Sequence, residues 1–182
     1  MTVAQALFYA QGFKATGINE VIEKSGVAKA TFYNHFRTKD ELGAAYIKAM
    51  KESEVAYLEG CLAGKRDPVE RFLAVIESLR PWLLETEFRG CPFINLASEV
   101  PDAASPLRRE GTKLYDFTRD KTRILTGELI ASDPETYGHL DVDEVTDTYM
   151  TLYAGAIALA EIYHAIWPID HALQGAKRLI GK

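Results

Sequence analysis

The segment INEVIEKSGVAKATFYNHFRTKDEL, running from Ile18 to Leu42, decides the fold. Ile18, Val21 and Ile22 fall at i, i+3 and i+4, which is one face of a short helix. Ser25-Gly26 ends it, because glycine takes the left-handed stop without a Cβ clash. A second helix is expected from Val27 to Phe36. Phe32 and Phe36 share one of its faces, and Lys29, Ala30, Tyr33 and His35 lie around the others. Two helices of about two turns joined by a tight glycine turn make a helix-turn-helix, and the second fits a DNA major groove.

Outward from this segment the punctuation continues. A helix is expected over residues 3–11, closed by Gly12 with Phe13 packing back. Gly17 stands where an N-cap belongs and offers no side-chain acceptor. Thr38-Lys39-Asp40-Glu41 has the form of a capping box. From Leu42 to Gly60 apolar or small residues recur with a period near 3.6, and a helix of about 24 residues makes a rod of roughly 36 Å. Asp67-Pro68 opens the next helix, in which Pro81 should kink or shorten the regular part. A short helix follows Gly90-Cys91-Pro92, and a long one starts at Pro106, striped by Leu107, Gly111, Leu114, Thr118 and Leu125. Asp141 caps a helix reaching about Ile166, whose second half is small and apolar, and a last helix carries Leu173, Ala176, Leu179 and Ile180. The expectation is an all-α chain of about nine helices, divided into a helix-turn-helix domain, 1–42, and a helical body, 43–182.

Bulk properties set the bounds. A chain of 182 residues with 47% hydrophobic content can bury a core. No apolar run reaches the ~18 residues of a membrane span. The start, MTVAQALFYAQGF, lacks the basic region of a secretory signal. Cys61 and Cys91 make neither a disulfide framework nor a zinc site. A cytoplasmic protein with reduced thiols is expected. The net charge of −5 is unevenly spread. Residues 1–50 carry six Lys/Arg against four acids, and the remainder 15 against 22. A mildly basic head on an acidic body fits DNA contact confined to the head.

Residues 12–42, GFKATGINEVIEKSGVAKATFYNHFRTKDEL, resemble the DNA-binding head of the TetR (tetracycline-repressor) family of bacterial transcription regulators. Gly12-Phe13, Thr16, Val21-Ile22, Ser25-Gly26-Val27, Lys29, Thr31, Phe32-Tyr33, His35-Phe36 and Lys39-Asp40-Glu41-Leu42 fall at that family's spacings. GCPFINLASEVPD is similar to a segment of one subgroup's regulatory domains. The resemblance implies a three-helix head whose reading helix begins near Ala28. It counts Ala28 among the DNA-binding residues, places Lys29 and Ala30 at base edges, and Thr31, Tyr33, His35 and Lys39 at phosphates. Lysine, hydroxyl and ring N–H donors suit these roles. The chain departs from the family in its short N-terminus and in having Gly17 and Ala28 where hydroxyl residues are common.

The resemblance also implies a ligand-binding body and a homodimer built on the last two long helices. Ala154, Gly155, Ala156, Ala158 and Ala160 would let helices approach closely. An apolar or aromatic small-molecule effector would meet Tyr46, Met50, Phe72, Trp82, Phe93, Asn95, Tyr115 and Tyr153; Asn95 and Glu99, one turn apart, are possible polar anchors. Glu161, His164 and His171 are too scattered for a metal site, and neither metal nor cofactor is expected. The expected function is a ligand-responsive regulator, a repressor acting on a palindromic double-stranded operator. The alternative is a protein- or ligand-binding helical module with weakened DNA binding. A small helical enzyme ranks last, because no catalytic or phosphate-binding motif is present.

Overall fold

The computed structural model describes residues 1–181, and no strand occurs among them. The helices are α1 (Thr2–Gln11), α2 (Ile18–Ser25), α3 (Lys29–His35), α4 (Lys39–Leu62), α5 (Pro68–Glu77), α6 (Leu79–Glu85), α7 (Pro92–Glu99), α8 (Pro106–Ser132), α9 (Pro134–Tyr137), α10 (Val142–Tyr163) and α11 (Trp167–Leu179). Eleven segments stand where about nine were expected. One addition is the single turn α9, capped by Asp133 on the Thr136 N–H. The other is a break between α5 and α6.

That break has local causes. Pro81 has no N–H to give the carbonyl of Glu77, four residues earlier. α5 ends at Glu77, and Ser78 Oγ donates to the Val75 carbonyl at 2.8 Å. The Ser78 carbonyl accepts from Tyr57 Oη at 2.8 Å. The expected caps are present elsewhere. Thr38 Oγ1 accepts from Glu41 N at 3.1 Å, while the Glu41 carboxylate reaches back to Arg37 N at 2.7 Å. Asp67 caps α5 and Asp141 caps α10. Gly17 caps α2 by backbone alone, and Gly26 ends it at φ 66°.

The chain forms two compact units, Met1–Glu54 with Pro92–Leu114, and Val55–Cys91 with Tyr115–Lys182. In the first, Phe8 packs against Phe13 and Tyr46, with ring centroids 5.3 and 5.4 Å apart. Leu7, Val21, Phe32, Leu42, Ile47, Phe93 and Leu96 are buried. Thr16, fully buried, donates to the Gly12 carbonyl at 2.8 Å and so ties the α1–α2 turn.

In the second unit α11 packs on α10 and α5. Tyr149, on α10, is fully buried. Its hydroxyl donates to the Phe72 carbonyl at 2.7 Å and accepts from Ile76 N at 3.1 Å. Those two α5 groups are four apart, so the phenol stands inside a helical hydrogen-bond step. The Phe72 and Tyr149 rings meet at 4.8 Å. Thr118, Thr122 and Thr126 form a buried stripe on α8. Thr122 and Thr126 satisfy their hydroxyls on carbonyls four residues back, at 2.9 Å each.

Candidate nucleic-acid interface

α3 is seven residues long, starts at Lys29 and has Ala28 as its N-cap. Phe32 is buried and Phe36 half-buried, so one face is spent on the head's core. Ala28, Lys29, Ala30, Thr31, Tyr33 and His35 are all exposed. These are the residues on which the resemblance placed DNA contacts. The Phe32 ring meets Tyr33 edge-on at 5.5 Å and Phe36 at 5.9 Å. Tyr33 is thus braced from inside, with 39% of its surface exposed and able to meet a phosphate.

Chemically, such a face is compatible with groove reading. The N-cap and first turn of α3 show a cation and two methyl-sized side chains, and its flank shows hydroxyl and imidazole donors. Small Ala28 and Ala30 allow close backbone approach. Lys39 differs from the others. It is half-buried, its Nζ donates to the Lys14 carbonyl at 3.0 Å, and it lies 4.8 Å from the centre of the Phe13 ring. Beside α3 a cavity of about 340 Å³ is lined by Met1, Val3, Val27, Phe32, His35 and Phe36 among others.

The residues expected to meet an effector fall into both units. In the first, Tyr46 and Asn95 line one cavity of about 10 Å³, together with Phe8, Tyr9, Phe13 and Glu99 among others. That is room for about one water. Asn95 Nδ2 is buried there without a hydrogen-bond partner. Phe93 is buried and Met50 half-buried, and neither lines that cavity. In the second unit Tyr115 and Tyr153 pack edge-on at 6.4 Å. Tyr115 Oη donates to Cys91 Sγ at 3.7 Å. Burial pushes the Tyr115 phenol well above its ordinary range. Trp82 is half-buried, and Phe72, with no exposed surface, is occupied by Tyr149.

Several groups that matter were not prominent in the sequence. Glu54, on α4, is pushed up to about 7 by burial. Glu161 is raised by burial, against the pull of Arg89 and His164. Its carboxylate occupies the place a Cβ on Gly90 would need, and Gly90 sits at φ 85°. Glu99, expected beside Asn95 as a polar anchor for the effector, instead accepts from Lys14 N at 2.5 Å. On the surface of the second unit, α8 and α10 are joined by Arg119–Asp147 at 2.7 Å and Arg123–Asp143 at 2.6 Å. The first pair lowers the Asp147 carboxyl through its hydrogen bond.

Comparison with known proteins agrees with this geometry. Residues 1–46 match the family profile described as "Bacterial regulatory proteins, tetR family", and residues 68–176 match "Tetracyclin repressor-like, C-terminal domain". The HTH-type transcriptional regulator LmrA of Bacillus subtilis is 32% identical over 117 residues, which is 63% of this chain and 62% of LmrA. The aligned part thus spans about three fifths of that relative. The HTH-type transcriptional repressor NemR of Escherichia coli is 24% identical over 185 residues, covering 99% of this chain and 91% of NemR. Among solved structures, a TetR transcriptional regulator from Chloroflexus aurantiacus superposes with a TM-score of 0.83 at 27% identity, covering 99% of this chain and 92% of that one. SCO4454 of Streptomyces coelicolor, at 24% identity and TM-score 0.83, has the same fold over 98% of this chain and 90% of its own.

Proposed function

The chain belongs to the TetR family of bacterial regulatory proteins, and from that premise we propose that it is a ligand-responsive repressor binding a palindromic operator as a homodimer. The observation that carries the reading is the outer face of α3. Its apolar residues Phe32 and Phe36 turn inward, and Ala28, Lys29, Ala30, Thr31, Tyr33 and His35 are left outside. Lys29 and Ala30 meet base edges. Thr31, Tyr33, His35 and Lys39 meet phosphates. Residues 1–42 form the DNA-binding domain, and 43–182 the domain for ligand and dimer. The protein works in the cytoplasm without catalytic chemistry; among the described residues no helix is long and apolar enough to cross a membrane.

Dimerisation uses α10 and α11. Ile162 and Tyr163 are 70% and 60% exposed, and Leu159 and Trp167 are also exposed. The Tyr163 and Trp167 rings meet at 5.5 Å, tilted by 55°, within this apolar surface. A second subunit brings the second reading helix to a half-site one DNA turn away, roughly 34 Å. An apolar or aromatic effector in the second unit, at Trp82, Tyr115 and Tyr153, binds one conformation better than the other and so lowers operator affinity. α4 and α8, which contain residues of both units, carry that change.

The test is a mobility shift with DNA flanking the protein's own gene across a salt series. Lys39, the fully charged residue among the assigned phosphate contacts, neutralises two phosphates per dimer, which implies a log–log slope of magnitude about 1.8 or more. Affinity should then fall at least about 12-fold between 50 and 200 mM salt. No shift at low salt, or a flat response, contradicts the proposal.

A further inference from the structure

The turn after α1 is gripped from two sides by opposite charges. On one side the Glu99 carboxylate, at the last residue of α7, accepts from the Lys14 N–H at 2.5 Å. On the other, Lys39 Nζ, at the first residue of α4, donates to the Lys14 carbonyl at 3.0 Å. The two contacts fix the peptide planes on either side of one α-carbon. The lysine also lies over the Phe13 ring, 4.8 Å from its centre. Gly12 makes room for the carboxylate. It takes φ 94°, and a Cβ there would lie 2.9 Å from Glu99 Oε1. A side chain at residue 12 would therefore be strained and would crowd the carboxylate.

From this we infer that Glu99 is a positioning residue for DNA binding. Through the Lys14 peptide it holds the Lys39 ammonium at the edge of the head, where that charge meets a phosphate. The inference rests on the reading of Lys39 as a phosphate contact. The physical reason is preorganisation. A lysine whose stem is already packed on an aromatic ring, with one proton placed on a carbonyl, loses little rotamer freedom when its remaining protons find phosphate oxygens. Without Glu99 the Lys14 carbonyl is no longer fixed, and Lys39 must order itself at the moment of binding. The carboxylate works by geometry, since its own charge opposes DNA; simple electrostatics makes the opposite forecast, that removing Glu99 tightens binding.

The experiment uses the full chain, its E99A, E99Q and K39A variants and the E99A/K39A double variant. The probe is a duplex that the wild-type protein has enriched from a randomised pool, and anisotropy is followed over a salt series. E99A is expected to bind about tenfold more weakly, with a log–log slope shallower by about 1.8, one phosphate contact per subunit. E99Q keeps an acceptor oxygen for Lys14 N–H and should stay within about threefold of wild type. On the K39A background E99A should cost nothing more. Thermal melting of each variant accompanies the series, and E99Q carries the test if E99A does not fold: near wild-type binding supports the inference, and a large loss overturns it. An unchanged slope, tighter binding by E99A, or losses that add across the two sites overturn it as well. Absence of any duplex enriched by the wild-type chain instead removes the DNA-binding reading itself.

Discussion

Lys29→Ala isolates base reading from simple attraction to DNA. Lys29 is the first residue of α3 and is exposed, in the part of a reading helix that faces base edges. A lysine donating to guanine O6 or N7 contributes to discrimination, and a good base contact is worth about 1–3 kcal/mol. The point-charge geometry of lysine puts it toward the lower end of that range. With two half-sites, each losing about 1 kcal/mol, the enriched duplex should be bound roughly 30-fold more weakly. A scrambled duplex of the same length keeps only the charge term and should lose affinity several-fold less. The assay is paired anisotropy titration on the two duplexes at one salt concentration, with melting curves to show that the head still folds. α3 packs through Phe32 and Phe36, so the substitution should leave stability within ~0.5 kcal/mol. Equal losses on both duplexes would falsify base reading by Lys29. No loss on either would remove α3 as the interface.

Three further outcomes follow from the burial pattern. Glu54 is held protonated by burial up to about pH 7, so the folded chain binds a proton that the unfolded chain releases above about 4.5; stability is full below that pH and declines as pH rises to about 7. Glu54→Gln should abolish that slope and raise the melting temperature at pH 8 by roughly 5 °C, about 2 kcal/mol after allowance for partial exposure, with little change at pH 4.5; an unchanged slope sinks the assignment. Tyr149→Phe removes the hydroxyl set between Phe72 and Ile76 and should cost about 1–2 kcal/mol in chemical denaturation, less if the helical bond re-forms across the gap, whereas a gain in stability would contradict its bridging role. Ile162→Glu places a charge on the exposed apolar face of α10 and should shift the species seen in analytical ultracentrifugation from dimer to monomer; a persisting dimer moves the interface elsewhere.

Features governed by near neighbours in the chain were legible from the sequence. Gly26, the Thr38 cap, Asp67-Pro68 and Asp141 each act within four residues, and their chemistry fixes a helix end wherever they occur. The inward turn of Phe32 and outward turn of Lys29 follow from helical period alone. Contacts between distant positions were not legible. Nothing near Tyr149 says that its hydroxyl will enter α5, some 75 residues earlier in the chain. Glu99 reads as an ordinary helix-surface acid until folding brings it to Lys14, 85 residues away. The aromatic residues posed a different problem. Composition treats Phe72, Tyr46 and Tyr115 alike as pocket material, yet Phe72 is occupied by Tyr149 and Tyr46 by Phe8. Pro81 announced a break in its helix, but Ser78 and Tyr57 decided where it falls.

The most direct test of the central claim is enrichment of the purified protein's targets from a pool of randomised duplexes at low salt, read by sequencing. The account predicts an inverted repeat whose half-sites lie about one DNA turn apart, bound at a ratio of two chains per duplex. A pool that emerges no different from its input, or enriched single sites bound by one chain, would contradict it.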